Sequence, residues 1–172
     1  HKVKYFQLRL KKTSITRLIK ISKKIKKITK NNNVKLLIND KPFIAKIIDA
    51  DGCHIGQKDI DLINARKILG KNKIIGVTCH NSKKLALKAR NGRANYVAFG
   101  SFFKSLTKKT AVKANIEILR WAKKKINMPV VAIGGIDNSN YKKILLNGAN
   151  YIACSNYIWK SSDPVSAIKK FK

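Results

Sequence analysis

Short apolar runs alternate with longer, Lys-rich amphipathic stretches along the whole chain, and this alternation limits the possible folds more than any other feature of the sequence. The runs Val3–Leu10, Val34–Ile38, Gly52–Ile55, Ile74–Thr78, Tyr96–Phe99, Val130–Ile133 and Tyr151–Cys154 are predicted strands. Between them, Ser14–Thr29, Lys41–Ile48, Asp61–Leu69, Ser82–Asn91, Val112–Ile126, Asn138–Asn147 and Pro164–Lys170 are predicted helices. Ser14, Asp61, Ser82 and Asn138 suit helix starts, and Gly70, Gly92 and Gly148 suit helix ends. Strands joined by crossover helices of this length imply a parallel sheet covered by helices. A doubly wound open sheet or a (β/α) barrel would satisfy that pattern. Neither a G-x-G-x-x-G opening the first helix nor a G-x-x-x-x-G-K-[ST] loop is present. Polar and glycine signals recur at the C-terminal ends of nearly every strand, where barrel enzymes build their active sites, so the barrel is the expectation. A closed barrel has eight units and typically about 250 residues. Here 172 residues give seven β-then-α units. The predicted fold is therefore α/β, a (β/α)8 TIM barrel lacking its first β-α unit, with one domain over residues 1–172.

The charge is extreme, at 39 Lys plus Arg against 8 Asp plus Glu and a formal net charge of +31. Such a balance invites nucleic acid as a partner. Yet Lys far outnumbers Arg, and Ile and Asn are abundant too, which is what an AT-rich genome encodes wherever a surface tolerates it. No cluster of Arg forks or aromatic stacking residues accompanies the charge. Composition is thus the first reading of the charge, with nucleic-acid contact and attraction of small anions behind it. An apolar content of 44% argues against disorder. No run approaches a membrane span, and His1–Phe6 has neither the apolar stretch nor the cleavage site of a signal peptide, so membrane insertion and secretion are not expected. Cys53, Cys79 and Cys154 are odd in number and far apart, with no C-x-x-C pair, so neither a disulfide framework nor a zinc site is expected. The expected location is a reducing cytoplasm, and the expected partners are phosphorylated small molecules, with self-association left open.

The polar residues at strand ends point to anions. In the first strand, period 2 puts Gln7, Arg9 and Lys11 on one face and Phe6, Leu8 and Leu10 on the other. If the polar face looks inward, an Arg fork and a Lys ammonium there demand an anionic partner. An edge strand with a wet face is the alternative. Five of the eight acidic residues (Asp40, Asp49, Asp51, Asp59 and Asp61) lie in one short stretch. Asp40 follows Asn39 after one strand and Asp59 follows Gly56-Gln57-Lys58 after the next, a pair that fits Mg2+ and its habit of binding substrate phosphates. Asp40 capping a turn and Asp59 capping the next helix are the plainer roles. Thr78 and His80 share a strand face that Cys79 does not, so Cys79 and His80 make a poor catalytic dyad. The stretch Ser101–Lys109 can clamp phosphate through Ser105, Thr107, Lys108 and Lys109. Gly134-Gly135, followed by Asp137 and a helix, offers backbone N–H groups, with Ser155-Asn156 ending the last strand beside it. That arrangement corresponds to the phosphate site barrels often place after their last two strands.

Taken together, Gln7-x-Arg9-x-Lys11, Leu37-Ile38-Asn39-Asp40, Asp51-Gly52-x-His54-x-Gly56-Gln57-x-Asp59, Ile75-Gly76-Val77-Thr78-x-His80, Tyr96-Val97-Ala98-Phe99-Gly100, Thr107-Lys108 and Ala132-Ile133-Gly134-Gly135-Ile136 resemble, in order and spacing, the thiamine-phosphate synthase family over essentially the whole chain. The resemblance implies a (β/α)8 barrel that joins a hydroxymethylpyrimidine diphosphate to a thiazole phosphate. It implies that Gln7 contacts the pyrimidine, that Arg9, Lys11, Asn39 and Lys108 hold the diphosphate with Thr78 nearby, and that Asp40 and Asp59 carry Mg2+. By the same resemblance Ser105, Thr107, Gly135, Ser155 and Asn156 surround the thiazole phosphate, and Arg9, Lys11, Thr78 and Lys108 serve catalysis. The chain departs from the family at Lys104-Ser105, where Pro-Thr is usual, and near Asn156-Tyr157, where Ser-Ala is common. A thiazole tautomerase-like enzyme is the nearest rival, and Asp59 with Thr107-Lys108 favours the synthase. A catalytically silent barrel that binds a phosphate ligand or nucleic acid is the alternative from another class.

Overall fold

The computed structural model describes residues 3–104 and 112–172. It contains, in chain order, β1 (Tyr5–Leu8), α1 (Ile15–Asn31), β2 (Lys35–Asn39), α2 (Pro42–Ile47), β3 (Gly52–Ile55), α3 (Leu62–Leu69), β4 (Ile74–His80) and α4 (Lys83–Asn91). There follow β5 (Tyr96–Phe99), α5 (Glu117–Lys125), β6 (Val130–Ile133), α6 (Tyr141–Leu146), β7 (Tyr151–Ala153), α7 (Asn156–Trp159) and α8 (Pro164–Lys169). The chain separates into compact units of residues 2–77 and 78–172.

In the first unit β1, β2, β3 and β4 pair in parallel, each with the next. Leu36, Leu37 and Ile38 of β2 are all buried, so both faces of the strand are covered, as the unbroken apolar run requires. Gly52 permits the close approach of β3 to β4, because a Cβ there would sit 1.9 Å from the Ile74 carbonyl oxygen. Asp51 fixes the other side of β3: its carboxylate accepts the Leu36 N–H at 2.8 Å and pairs with Lys35 at 3.2 Å. α1 starts at Ser14, whose hydroxyl accepts the Arg17 N–H. It buries Leu18, Ser22 and Thr29 and leaves Lys20, Lys23, Lys24 and Lys27 in water. Lys26 of α1 and Lys73 before β4 both reach the Asp49 carboxylate, tying three segments at one point.

In the second unit β5, β6 and β7 pair in parallel, again each with the next. Val97, Phe99, Val130, Ala132, Leu119, Ile126 and Ile144 form its core. Several boundaries differ from the sequence expectation for identifiable reasons. The predicted helix from Val112 starts only at Glu117. The N–H groups of Ala114 and Asn115 are taken by the Ser101 carbonyl and the Asn81 side chain instead. α6 starts at Tyr141, not at Asn138, because the Asp137 carboxylate accepts both the N–H and the hydroxyl of Ser139 and holds a turn there. Gly92 is not left-handed; Arg93 takes that conformation at φ 60. The four-residue α7 was not expected. β1 stops at Leu8, where its register with Ile38 ends.

Candidate active site

Within residues 2–77 the polar residues collect after the C-terminal ends of β1, β2 and β3. Gln7 on β1 donates its amide hydrogen to the Asn39 side-chain oxygen on β2 at 2.6 Å. Asp40, the next residue, turns the chain out of β2 in a left-handed conformation at φ 62. Its N–H donates to the His54 carbonyl at 2.8 Å, which anchors it to β3. Such a conformation in a residue with a side chain stores strain, and it persists only where the surroundings hold it. Asp59 reaches the same place from the turn after β3, where its carboxylate accepts the Gly56 N–H at 2.8 Å. A Cβ at position 56 would lie 2.7 Å from that carboxylate oxygen, so the glycine makes room for it.

Asp40 and Asp59 are in hydrogen-bonding contact, and the electrostatics follow from that. Burial of the Asp40 carboxyl, then its contact with Asp59 and the Asp59 charge, push it above the usual carboxylate range, while the charges of Arg9 and Lys11 pull the other way. Two carboxylates held against each other repel unless a proton or a positive charge is shared between them. That donor set fits a hard divalent cation such as Mg2+, which uses one or two protein carboxylates and keeps several waters. Among the described residues no group of three or more His, Cys, Asp or Glu gathers, so a closed zinc-type centre is not formed there. Other acids have structural duties: Asp49 binds lysines, Asp51 holds β2, Asp137 shapes a turn, and Asp61 and Asp163 cap α3 and α8. Asp59 therefore does not cap the helix that follows it. Arg9 and Lys11 also differ from the inward-facing expectation. They leave from the loop beyond β1 and are exposed, so they carry little desolvation cost and are free to meet an anion.

Within residues 78–172, Thr78 and His80 are half-buried on one face of β4 and Cys79 is fully buried on the other. Burial pushes the thiols of Cys53, Cys79 and Cys154 up to about 12, which removes them as nucleophiles near neutral pH. Gly134 and Gly135 follow β6 at φ 102 and φ 64. Side chains at either would collide with the segment 101–104: a Cβ at Gly134 would fall 2.1 Å from the Ser101 hydroxyl oxygen, and one at Gly135 2.5 Å from the Lys104 carbonyl oxygen. Phe103 donates its N–H to the Gly134 carbonyl at 3.0 Å, which fixes that approach. The register pairs Ile133 of β6 with Ala153 of β7, so the chain leaves these neighbouring strands into the Gly134-Gly135 loop and into Ser155-Asn156. Ser155 is exposed, Asn156 is half-buried, and the Ser155 carbonyl accepts the Trp159 N–H at 2.9 Å. Ser105, Thr107, Lys108 and Lys109 lie outside the described residues.

Sequence reasoning missed two further groups. Asn140 donates to the Gly135 carbonyl at 3.0 Å and accepts the Asp137 N–H at 3.1 Å. Tyr141, Tyr157 and Phe171 form an aromatic cluster nearby. A polar residue expected to be inside a helix gave no signal for the first, and sequence separation hid the second.

Comparison with known proteins bears on this geometry. The family described as "Thiamine monophosphate synthase" matches residues 1–158. The chain is 58% identical to the thiamine-phosphate synthase of Pelagibacter ubique, over 99% of this chain and 83% of that protein. It is 39% identical to the thiamine-phosphate synthase of Nitrosomonas eutropha, over 98% and 80% of the two chains. Among solved structures, the thiamine phosphate pyrophosphorylase of Pyrococcus furiosus superposes with a TM-score of 0.89 at 29% identity, covering 96% of this chain and 79% of that one. The fold class is accordingly α/β of the TIM-barrel type.

Proposed function

The chain belongs to the thiamine monophosphate synthase family, and on that premise we propose that it joins a hydroxymethylpyrimidine diphosphate to a thiazole phosphate, forming thiamine phosphate and releasing pyrophosphate. The observation that carries the reading is the Asp40–Asp59 carboxylate pair, with the charges of Arg9 and Lys11 acting on it. Asp40 and Asp59 would hold Mg2+, which supplies positive charge against the diphosphate oxygens.

The chemistry asks little of a protein nucleophile. The bond between the pyrimidine methylene carbon and the diphosphate oxygen breaks, its electron pair leaves with the pyrophosphate, and the ring stabilises the resulting cation. The thiazole nitrogen then donates its lone pair to that carbon and closes the new C–N bond. The residues of this chain neutralise the leaving group and align the rings. Arg9 and Lys11 offer cationic donors to the diphosphate, and Asn39, oriented by Gln7 at 2.6 Å, offers its amide. The family resemblance assigns Thr78 and Lys108 to the diphosphate as well, and Gln7 to the pyrimidine. Gly135, Ser155 and Asn156, with Ser105 and Thr107, take the thiazole phosphate. Thiols pushed up to about 12 agree with a reaction that needs no thiolate. Among the described residues no helix is long and apolar enough to cross a membrane, and we place the activity in the cytoplasm.

The test is thiamine phosphate formation from the two phosphorylated substrates with Mg2+ or with EDTA. Product that requires the metal supports the reading. Equal rates in EDTA would remove Mg2+ from it, and no product from folded protein would overturn it.

A further inference from the structure

We infer that Asn140, Tyr141 and Phe171 are positioning residues for the phosphate of the second substrate, a small phosphate monoester; the inference rests on the function proposed above. Two loops have to be held in register for that phosphate, the one after β6 that carries Gly135 and the one after β7 that carries Ser155 and Asn156. The start of α6 is bonded to the first and reaches the second through Phe171.

Asn140 fixes the first loop. Its amide donates to the Gly135 carbonyl at 3.0 Å, so that carbonyl is turned towards Asn140 and the peptide plane it belongs to is set. Its side-chain oxygen accepts the Asp137 N–H at 3.1 Å, closing the turn on itself. A Gly135 at φ 64 has a wide choice of conformations in the absence of such bonds, and backbone N–H groups bind an anion only when their direction is fixed.

The next residue fixes the second loop. Tyr141 is buried, at 3% exposure, and its hydroxyl donates to the Lys172 carbonyl at 2.6 Å while accepting the Lys172 N–H at 3.0 Å. This double bond pair pins the segment after α8. Phe171, thereby held, meets Tyr141 edge to face with ring centroids 5.1 Å apart, and meets Tyr157 the same way at 5.5 Å. Tyr157 is the residue after Asn156, so Phe171 sets where α7 begins. α7 has only four residues and no side-chain cap, and a helix that short has little stability of its own. Its position is lent to it by the aromatic cluster.

The experiment measures steady-state kinetics against each substrate for wild type and for Asn140→Ala, Phe171→Ala, Phe171→Tyr and Tyr141→Phe. The two Ala variants are expected to raise KM for the thiazole phosphate about ten-fold, with KM for the pyrimidine diphosphate and kcat close to wild type. Phe171→Tyr keeps the ring contacts and is expected to behave as wild type, and Tyr141→Phe, which loses only the hydroxyl bonds, falls between. A merely structural role would lower the folded fraction and kcat and leave both KM values alone, and that result would overturn the inference. A titration with inorganic phosphate, read at the Gly135 and Ser155 amide resonances, keeps the two claims separate. Weaker phosphate binding in the Ala variants of a protein that makes no thiamine phosphate would sustain the positioning role and sink the proposed reaction. Unchanged phosphate binding would sink the positioning role, whatever the turnover.

Discussion

Asp49→Asn offers a clean test of how much the exposed ionic tie in the first unit contributes. One Asp49 oxygen takes Lys26 at 2.8 Å and the other takes Lys73 at 2.5 Å. Those bonds hold the carboxyl down to about 2 from its ordinary 3.8. At face value that drop corresponds to about 2.5 kcal/mol of stability. The Asp49 side chain is 75% exposed, however. Water and salt screen such pairs, and each is worth about 0.2–1 kcal/mol in practice. Lys26 also keeps its bonds to the backbone carbonyls of Ile48 and Asp49, which the substitution leaves in place. Position 49 sits at φ 53, and Asn accepts that conformation as readily as Asp. The expected cost at neutral pH is therefore about 1 kcal/mol. Because the folded carboxyl is depressed, its contribution is complete above pH 3.8 and is lost as the pH falls through about 2. Urea unfolding of both proteins across that range should show the difference closing, and about 1 M salt should shrink it at neutral pH. A difference above 2 kcal/mol that survives high salt would refute the screening argument.

Other substitutions probe the core and the site. The Ser22 hydroxyl is fully buried in α1 with no hydrogen-bond partner among the described residues; Ser22→Ala should stabilise by about 1 kcal/mol and raise Tm by about 3 °C in a thermal melt. Gly52→Ala should cost at least about 3 kcal/mol by urea unfolding, since its Cβ would sit 1.9 Å from a backbone oxygen in a buried strand pair. Asp40→Asn should lower turnover about a hundred-fold, while unfolding shows equal or higher stability because the repulsion from Asp59 is gone and Asn tolerates φ 62. Loss of stability in that variant would mean that the carboxylate has a structural duty.

The strands that run straight from apolar residues were legible in the sequence, and β3, β5 and β6 have the expected bounds. Helices capped by Ser14, Asp61 and Ser82 were legible for the same reason, since a short side chain there meets a backbone N–H one turn on. Competition between nearby hydrogen bonds was not legible. The Asp137 turn and the Asn81–Asn115 bond delay α6 and α5, and nothing in local propensity announces either. At the site, spacing after successive strands was enough to bring Asp40 and Asp59 together. The left-handed turn that delivers Asp40, and the tertiary contact between Phe171 and Tyr157, depend on residues distant in sequence and carry no periodic signal.

The conformation of Asp40 has a consequence for how the protein loses activity. Its carboxylate is placed by a strained backbone, and that backbone is held by a hydrogen bond to β3. The stiffness of this carboxylate corner is thus borrowed from strand pairing, so little loosening can occur locally while the strands stay zipped. Heat or denaturant should therefore abolish cation binding and the β2–β3 amide protection in one transition, without an earlier inactive state that keeps its secondary structure.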